Sequence, residues 1–181
     1  MSLLTDLKHW YGEWQLKRSD LEAKRRRAVF NLKTAQKITV LFDATSPKDI
    51  VRVKELVKIL SPGKELVSGM GFVNKKDKSF EHMSTLYFDF FSNDDLNWYG
   101  KPQGMVLDNF LKEEYDILID LTLTNFYPLT YMALASPAKF KVGRCRDDIG
   151  VFDLSINNNK DQSLEALIKE ITHYLNRIEP I

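Results

Sequence analysis

The chain has 181 residues, of which 44% are hydrophobic and 28% are charged, and these proportions are typical of one ordinary globular domain. Its single cysteine excludes an internal disulfide, and no apolar run approaches the roughly 20 residues of a membrane-spanning helix. The amino terminus lacks the charged-then-apolar layout of a secretory signal. We therefore expect a cytoplasmic protein without a transmembrane segment.

Charge is unevenly distributed along the chain. The net charge is +1, but residues 1–37 hold nine basic and four acidic residues, whereas the remainder holds 17 basic and 21 acidic residues. The chain therefore consists of a basic lead-in and a mildly acidic body. Because nucleic-acid-binding domains usually present a basic face, we do not expect the body to bind nucleic acid.

Residues 1–36 are predicted to form a basic, amphipathic helical arm. Large apolar side chains recur at spacings of three, four or seven residues, which is typical of one helical face; they are Leu3, Leu7, Trp10, Trp14 and Leu21. Three partners fit such a face. The arm could dock on its own domain or a second copy of the chain, lie on an acidic membrane surface, or contact nucleic-acid phosphates.

The body, residues 37–181, is predicted to be a single domain in which strands alternate with helices. The predicted strands are KITVLFDAT (37–45), ELVSGMGFV (65–73), STLYFDFF (84–91), YDILIDLTLT (115–124), FKVGRC (140–145) and VFDLSIN (151–157). Helices are predicted over 46–60, 105–114, 125–136 and 163–178. The first of these helices can have Ser46 as its cap and has Pro47 in its first turn. Its predicted apolar face consists of Ile50, Val53, Leu56, Val57 and Leu60.

This alternation predicts the fold class. Strands that alternate with helices form βαβ units and a mainly parallel sheet covered on both faces, and continuous apolar runs such as ITVLF fit strands that are buried on both sides. Right-handed crossovers then give a three-layer α/β sandwich with a doubly wound, Rossmann-like or flavodoxin-like sheet. We expect about six strands and five helices, counting the arm.

Polar residues near the predicted carboxyl ends of the strands are the candidate site, because open parallel sheets bind ligands beyond those ends. The candidates for a ligand-binding crevice are Asp43, Thr45, Asp94, Asp95, Trp98, Asp120, Thr122 and Arg144. If the first and fourth strands are neighbours, Asp43 and Asp120 face one crevice. Each carboxylate also has a structural alternative, because Asp and Thr at strand ends routinely cap helices or hold turns.

Other residues argue against several kinds of site. The segment DATSPKD after the first strand contains neither GxGxxG nor GxxxxGK, so a dinucleotide or triphosphate cofactor is not expected. His9, His82 and His173 lack metal-ligand spacing, so no metal site is predicted and the cofactor remains unknown. Cys145 is expected to be a buried structural residue.

The loop NWYGKP (97–102) carries two adjacent aromatic residues, Trp98 and Tyr99. Aromatic rings in such a loop can stack on a base or sugar ring, or can anchor a partner. Alternatively, Trp98 folds back and closes the loop over the sheet.

Several segments together resemble a known family. LFDA, GFV, FDFFSNDDLNWYGKP, YDILIDLT, PLTY, SPAKFKVGR and FDLSI resemble an uncharacterised family of small α/β proteins from Bacteroidota that has a basic helical lead-in. The resemblance covers nearly the whole chain and implies the fold but no activity. Over about 30 residues, YDILIDL, the next helix and AKFKVG are also similar to the amino-terminal half of lipopolysaccharide heptosyltransferases, from which no catalytic residue carries over.

Two functions remain open. A non-enzymatic binding or interaction module, with the arm serving self-association or attachment to a membrane surface, fits the lack of a complete catalytic constellation. A small-molecule-binding domain or enzyme, with a polar crevice for a nucleotide, sugar or phosphate, fits the polar strand ends. Carboxylates that converge in a pocket would favour the second function, and carboxylates engaged in turns would favour the first.

Overall fold

The computed structural model describes residues 10–12, 14, 16, 25–75, 82–145, 150–157 and 161–180. Within these residues the strands are β1 (Lys37–Asp43), β2 (Leu66–Val73), β3 (Phe88–Ser92), β4 (Ile117–Asp120), β5 (Phe140–Arg144) and β6 (Leu154–Ile156). The helices of the body are α1 (Pro47–Leu60), α2 (Met105–Lys112), α3 (Tyr127–Ala135) and α4 (Leu164–Arg177). None of the helices described is long and apolar enough to cross a membrane.

The six strands form one sheet in the order β3-β2-β1-β4-β5-β6, and every pairing is parallel. This is the strand order of Rossmann-like folds, and it differs from the flavodoxin-like order. The predicted α/β sandwich with a doubly wound sheet is therefore confirmed.

Each face of the sheet has its own hydrophobic core. Along β1, Val40 and Phe42 belong to the core under α1 and α4, whereas Leu41 between them belongs to the core under α2 and α3. Both cores exist because successive side chains of a strand point to opposite faces of the sheet. The apolar face predicted for α1 is buried as expected, and it consists of Ile50, Val53, Leu56, Val57 and Leu60.

The fourth strand is shorter than predicted. Its pairing with β1 ends at Asp120, whose carboxylate Oδ1 accepts a hydrogen bond from the backbone N–H of Thr122 at 2.8 Å. A short side chain that binds the backbone two residues ahead turns the chain. Thr122 and Thr124 therefore belong to the loop between β4 and α3.

The lead-in is only partly helical. Residues 10–12, 14 and 16 are helical, but residues 25–36 contain irregular and turn backbone instead of the predicted helix. The N–H of Ala28 donates to the carbonyl of Lys139 at 3.2 Å, and the N–H of Leu32 donates to the carbonyl of Leu175 at 3.0 Å. These tertiary hydrogen bonds replace those of a helix, because helix propensity is a weak preference.

Other parts of the arm prediction are not decided by these contacts. The boundary between an arm and a domain at residue 36 stays a prediction. Three of the apolar positions in the predicted arm lie outside the described residues, namely Leu3, Leu7 and Leu21.

Candidate functional site

The strand order creates a crevice at the carboxyl edge of the sheet. β1 lies between β2 and β4, and the chain leaves β1 for α1 on one face and leaves β4 for α3 on the other. In such sheets, ligands bind where the two connections diverge. The first and fourth strands are neighbours, since Leu41 of β1 pairs with Asp120 of β4.

Two of the candidate carboxylates at this edge close their own turns. Oδ1 of Asp43 accepts from the N–H of Thr45 at 2.9 Å. Oδ1 of Asp120 accepts from both the N–H and the hydroxyl of Thr122, and both residues are fully buried. Asp43 and Asp120 therefore have the turn-forming role that was the structural alternative to ligand binding for these carboxylates.

The candidate residues after β3 also form local structure. Oδ2 of Asp95 accepts from the N–H of Ser92 at 2.7 Å, and together these residues form a capping box around the short helical turn Asn93–Asp95. Asp94 lies in the same turn and is exposed. Asp95 therefore shapes the first part of the loop between β3 and α2.

A cleft of about 490 Å³ opens between the loops that follow β2, β3 and β4, within the range of about 300–1,000 Å³ typical of ligand sites. We call it the aromatic cleft. Its aromatic lining residues are Phe72, Trp98, Tyr99, Phe126 and Tyr127. Its polar side chains are amides, contributed by Asn74, Asn93, Asn97 and Asn125. Among the described residues that line the cleft, none is acidic or basic.

Tyr127 has an unusual environment for a residue of the cleft. Its hydroxyl is buried and has no hydrogen-bond partner among the described residues. Burial, followed by the neighbouring tyrosines Tyr99, Tyr131 and Tyr11, raises the pKa of the phenol well above its ordinary value. The phenol therefore remains protonated and uncharged at neutral pH.

Two residues of the lead-in, Tyr11 and Gly12, lie next to three of the aromatic rings that line the cleft. The ring of Tyr11 stacks on Trp98 with centroids 5.3 Å apart, and meets Tyr99 edge-on at 5.2 Å. At Gly12, an added Cβ would lie only 2.8 Å from the ring of Tyr127, so a side chain there would collide with that ring. Tyr11 itself does not line the cleft. The lead-in thus supports the cleft from outside.

The model of a family of unknown function, DUF6913, matches residues 8–178. The chain belongs to the DUF6913 family. The match includes the lead-in as well as the sheet, so the resemblance over nearly the whole chain is confirmed at the level of a family without an assigned function. No curated protein and no solved structure matches the chain. The function of this DUF6913 protein is therefore inferred from the arrangement of residues around the aromatic cleft.

The DUF6913 structure relates three of the sequence candidates to the cleft. Trp98 lines it. The hydroxyl of Thr45 accepts from the backbone N–H of Asn74 at 3.0 Å, and Arg144 donates to Oδ1 of Asn125 at 3.3 Å. Each of these two candidates therefore holds an asparagine that lines the cleft.

The remaining candidates, which are Asp43, Asp94, Asp95, Asp120 and Thr122, do not line the cleft. Sequence reasoning omitted Asn74, Asn125 and Tyr127. The strand-end rule could have found Asn74, which directly follows β2. Asn125 carries the same signal, because it directly follows the predicted strand 115–124, whereas Tyr127 lies two residues further along the chain and carries none.

Two further expectations have clear outcomes. His82 is a packing residue as expected, since its Nε2 lies 2.9 Å from the carbonyl oxygen of Ala44 and its ring meets Phe90 edge-on. Cys145 was expected to be buried, and this is wrong: it is exposed, because β5 ends one residue earlier at Arg144. Among the described residues, no group of histidine, cysteine or acidic residues is arranged to hold a metal ion.

Proposed function

We propose that this DUF6913 protein is a non-catalytic binding module whose ligand site is the aromatic cleft. One observation carries the proposal: at the edge of the sheet where Rossmann-like folds place their sites, the described residues that line the concave surface contribute aromatic rings and amides and no charged side chain. Such a lining suits the binding of a ligand, because apolar walls supply affinity and a few polar groups supply orientation.

The state of the nearby carboxylates supports binding over catalysis. A general acid or base has to lie within hydrogen-bond reach of the reacting group. Asp43 and Asp120 instead accept backbone hydrogen bonds within their own turns, and neither lines the cleft. Among the described residues, the titratable groups that do line it are the phenols of Tyr99 and Tyr127, and the raised pKa of Tyr127 disfavours its use as a general base.

A thermal-shift screen tests the proposal. The panel contains nucleosides, nucleotides, nucleotide sugars, phosphosugars and neutral sugars. Asn74 is exposed, so Asn74→Trp should fill the cleft without disturbing the core. The matched control is Asn176→Trp, also at an exposed position, on α4, which packs on the face of the sheet opposite to α3. We expect a ligand that raises the Tm of the wild type and of Asn176→Trp but not of Asn74→Trp.

Two results would contradict the proposal. A ligand that raises the Tm of all three proteins equally binds outside the cleft. A bound compound that is chemically altered on incubation, with the alteration abolished by Asp120→Asn in a folded protein, would establish the catalytic alternative with a polar crevice instead.

The setting of the protein is a further part of the proposal. We propose that it works in the bacterial cytoplasm, which the single cysteine and the resemblance to a bacterial family support. Self-association or membrane contact through the arm stays a prediction, supported by the 61% exposure of Trp10. Sedimentation with anionic liposomes, with and without residues 1–27, tests the membrane contact, and equal partitioning of both proteins would rule it out.

A further inference from the structure

We propose that the aromatic cleft binds a planar, uncharged nitrogen heterocycle, the chemical class of the nucleobases, with its ring stacked on Trp98. The inference rests on the proposed function and names the class of ligand. Four features carry it: the neutrality of the lining, the geometry of the Trp98 ring, the kind of polar group at the cleft, and the support from the lead-in.

The neutral lining selects an uncharged ligand. Taking a charged group out of water is costly unless an opposite charge accompanies it. Among the residues that the structure describes, the side chains that line the cleft offer no such charge, and the guanidinium of Arg144, which does not line the cleft, donates to Asn125. The part of a ligand that enters the cleft is therefore neutral, which excludes a phosphate or carboxylate from it.

Trp98 is the stacking platform. Its side chain is 60% exposed although it is large and apolar, and Tyr11 stacks on it at an interplanar angle of 29°. Tyr99 meets the same indole edge-on at 5.1 Å. Two rings thus fix the indole while it still lines the cleft. Stacking on such a fixed ring tolerates every base, because every base has a π-face.

The polar groups of the cleft are amides, which match the edge of a heterocycle. An asparagine side chain both donates and accepts, and asparagine is a common partner of the adenine edge. Asn97 is already committed, because its Oδ1 accepts from the N–H groups of Tyr99 and Lys101. Asn74 and Asn93 share one long contact of 3.4 Å, which leaves most of their capacity for a ligand. A nucleobase has two apolar faces and a polar edge, so its faces suit the aromatic rings of the cleft and its edge suits the amides.

Calorimetric titration of the full-length protein with adenosine, guanosine, cytidine and uridine tests the inference. Trp98→Ala should weaken binding roughly 5- to 150-fold, the range for losing one stacked base. Trp98→Phe keeps a ring and should recover most of the affinity. Trp10→Ala is the matched control, since Trp10 is exposed to nearly the same extent at 61%, and it should bind like the wild type.

The support from the lead-in has its own readout. Tyr11 is a positioning residue, so Tyr11→Ala should weaken nucleoside binding roughly 2- to 13-fold, the value of one aromatic pair. Tyr11→Phe keeps the stacked ring and should bind like the wild type. An equal loss in both variants would show that the phenol oxygen, and not the ring, contributes.

Other outcomes separate this inference from the proposed function. Binding of a neutral sugar such as methyl glucoside, but of no nucleoside, would overturn the heterocycle; if Asn74→Trp blocked that binding, the cleft would remain the site. Binding of nucleotides without nucleosides would overturn the inference as well, because it would depend on the phosphate. Nucleoside binding that Asn74→Trp leaves unchanged would sink both proposals.

Discussion

Arg25 joins the lead-in to the body through an ion pair, and its replacement by methionine should destabilise the fold. The guanidinium makes two hydrogen bonds to Asp153, at 2.6 and 2.9 Å, and a third to the carbonyl of Lys139 at 3.2 Å. The two side chains are only 2% and 15% exposed. Removing one partner of a buried pair costs about 3–5 kcal/mol.

We expect the lower end of that range for Arg25→Met, because Asp153 keeps the hydrogen bond from the N–H of Lys141 at 2.8 Å. A loss of about 3 kcal/mol lowers the Tm of a chain of this size by roughly 6–12 °C. Urea unfolding followed by circular dichroism measures the loss, and the m-value should not change.

Arg52→Met is the matched control for this experiment. Arg52 pairs with Asp49 at 3.2 Å, but its side chain is 37% exposed, and exposed pairs contribute only about 0–1 kcal/mol. If Arg25→Met lowers the free energy of unfolding by no more than Arg52→Met does, burial does not strengthen the Arg25–Asp153 pair.

The same ion pair predicts a dependence on pH. Burial acts to raise the pKa of Asp153, but the hydrogen bonds from Arg25 and from the N–H of Lys141, with the nearby guanidinium charges, hold that pKa below its ordinary value. The folded pKa is thus lower than the unfolded value of about 3.9. The stabilisation is complete above the unfolded pKa and is lost as the pH falls through the folded pKa. The difference between wild type and Arg25→Met should therefore be constant from pH 7 to 5 and should narrow below about pH 4.

Three further substitutions test the packing and the turns. Gly71→Ala would bring a Cβ to 2.7 Å from the ring of Phe90 and should cost roughly 1–3 kcal/mol in urea unfolding; an unchanged stability would show that the ring moves freely. Asp120→Ala leaves the N–H of Thr122 buried without its acceptor and should cost roughly 1–3 kcal/mol, whereas a neutral result would remove the turn-forming role. Burial acts to raise the pKa of Asp116, but a lysine and two backbone N–H groups lower it, so Asp116→Asn should destabilise the protein at pH 7 and much less below about pH 4.

Much of the fold could be predicted because its signals are local. The apolar face of α1 has helical spacing and is buried as predicted, and the continuous apolar run of β1 is buried on both faces of the sheet. The lead-in shows where local preference fails. Its residues 25–36 belong to the predicted helical arm, but backbone hydrogen bonds to Lys139 and Leu175 hold them in other conformations, and such partners cannot be read from neighbouring residues.

The candidate site could be predicted in part. The strand-end rule selected the edge of the sheet at which the aromatic cleft opens, and the aromatic composition of the loop between β3 and α2 selected Trp98, which lines the cleft. The strand-end rule also selected Asp43 and Asp120, whose carboxylates close turns. Both belong to an Asp-x-Thr pattern, in which the aspartate reaches the backbone two residues ahead. That local pattern was visible in the sequence and favours a turn.

By itself, the sequence of this protein determined its fold class, most of its strands and helices, and the presence of polar strand ends at the carboxyl edge of the sheet. These features depend on periodicity, on turn residues and on the direction of parallel strands, all of which act over short stretches of chain. Only the tertiary structure decided that β1 lies beside β4, that Tyr11 supports Trp98, and that asparagines from separate loops meet in one cleft. The physical reason is that these contacts join residues distant in sequence, and they form only when long-range strand pairing brings separate loops to the same edge.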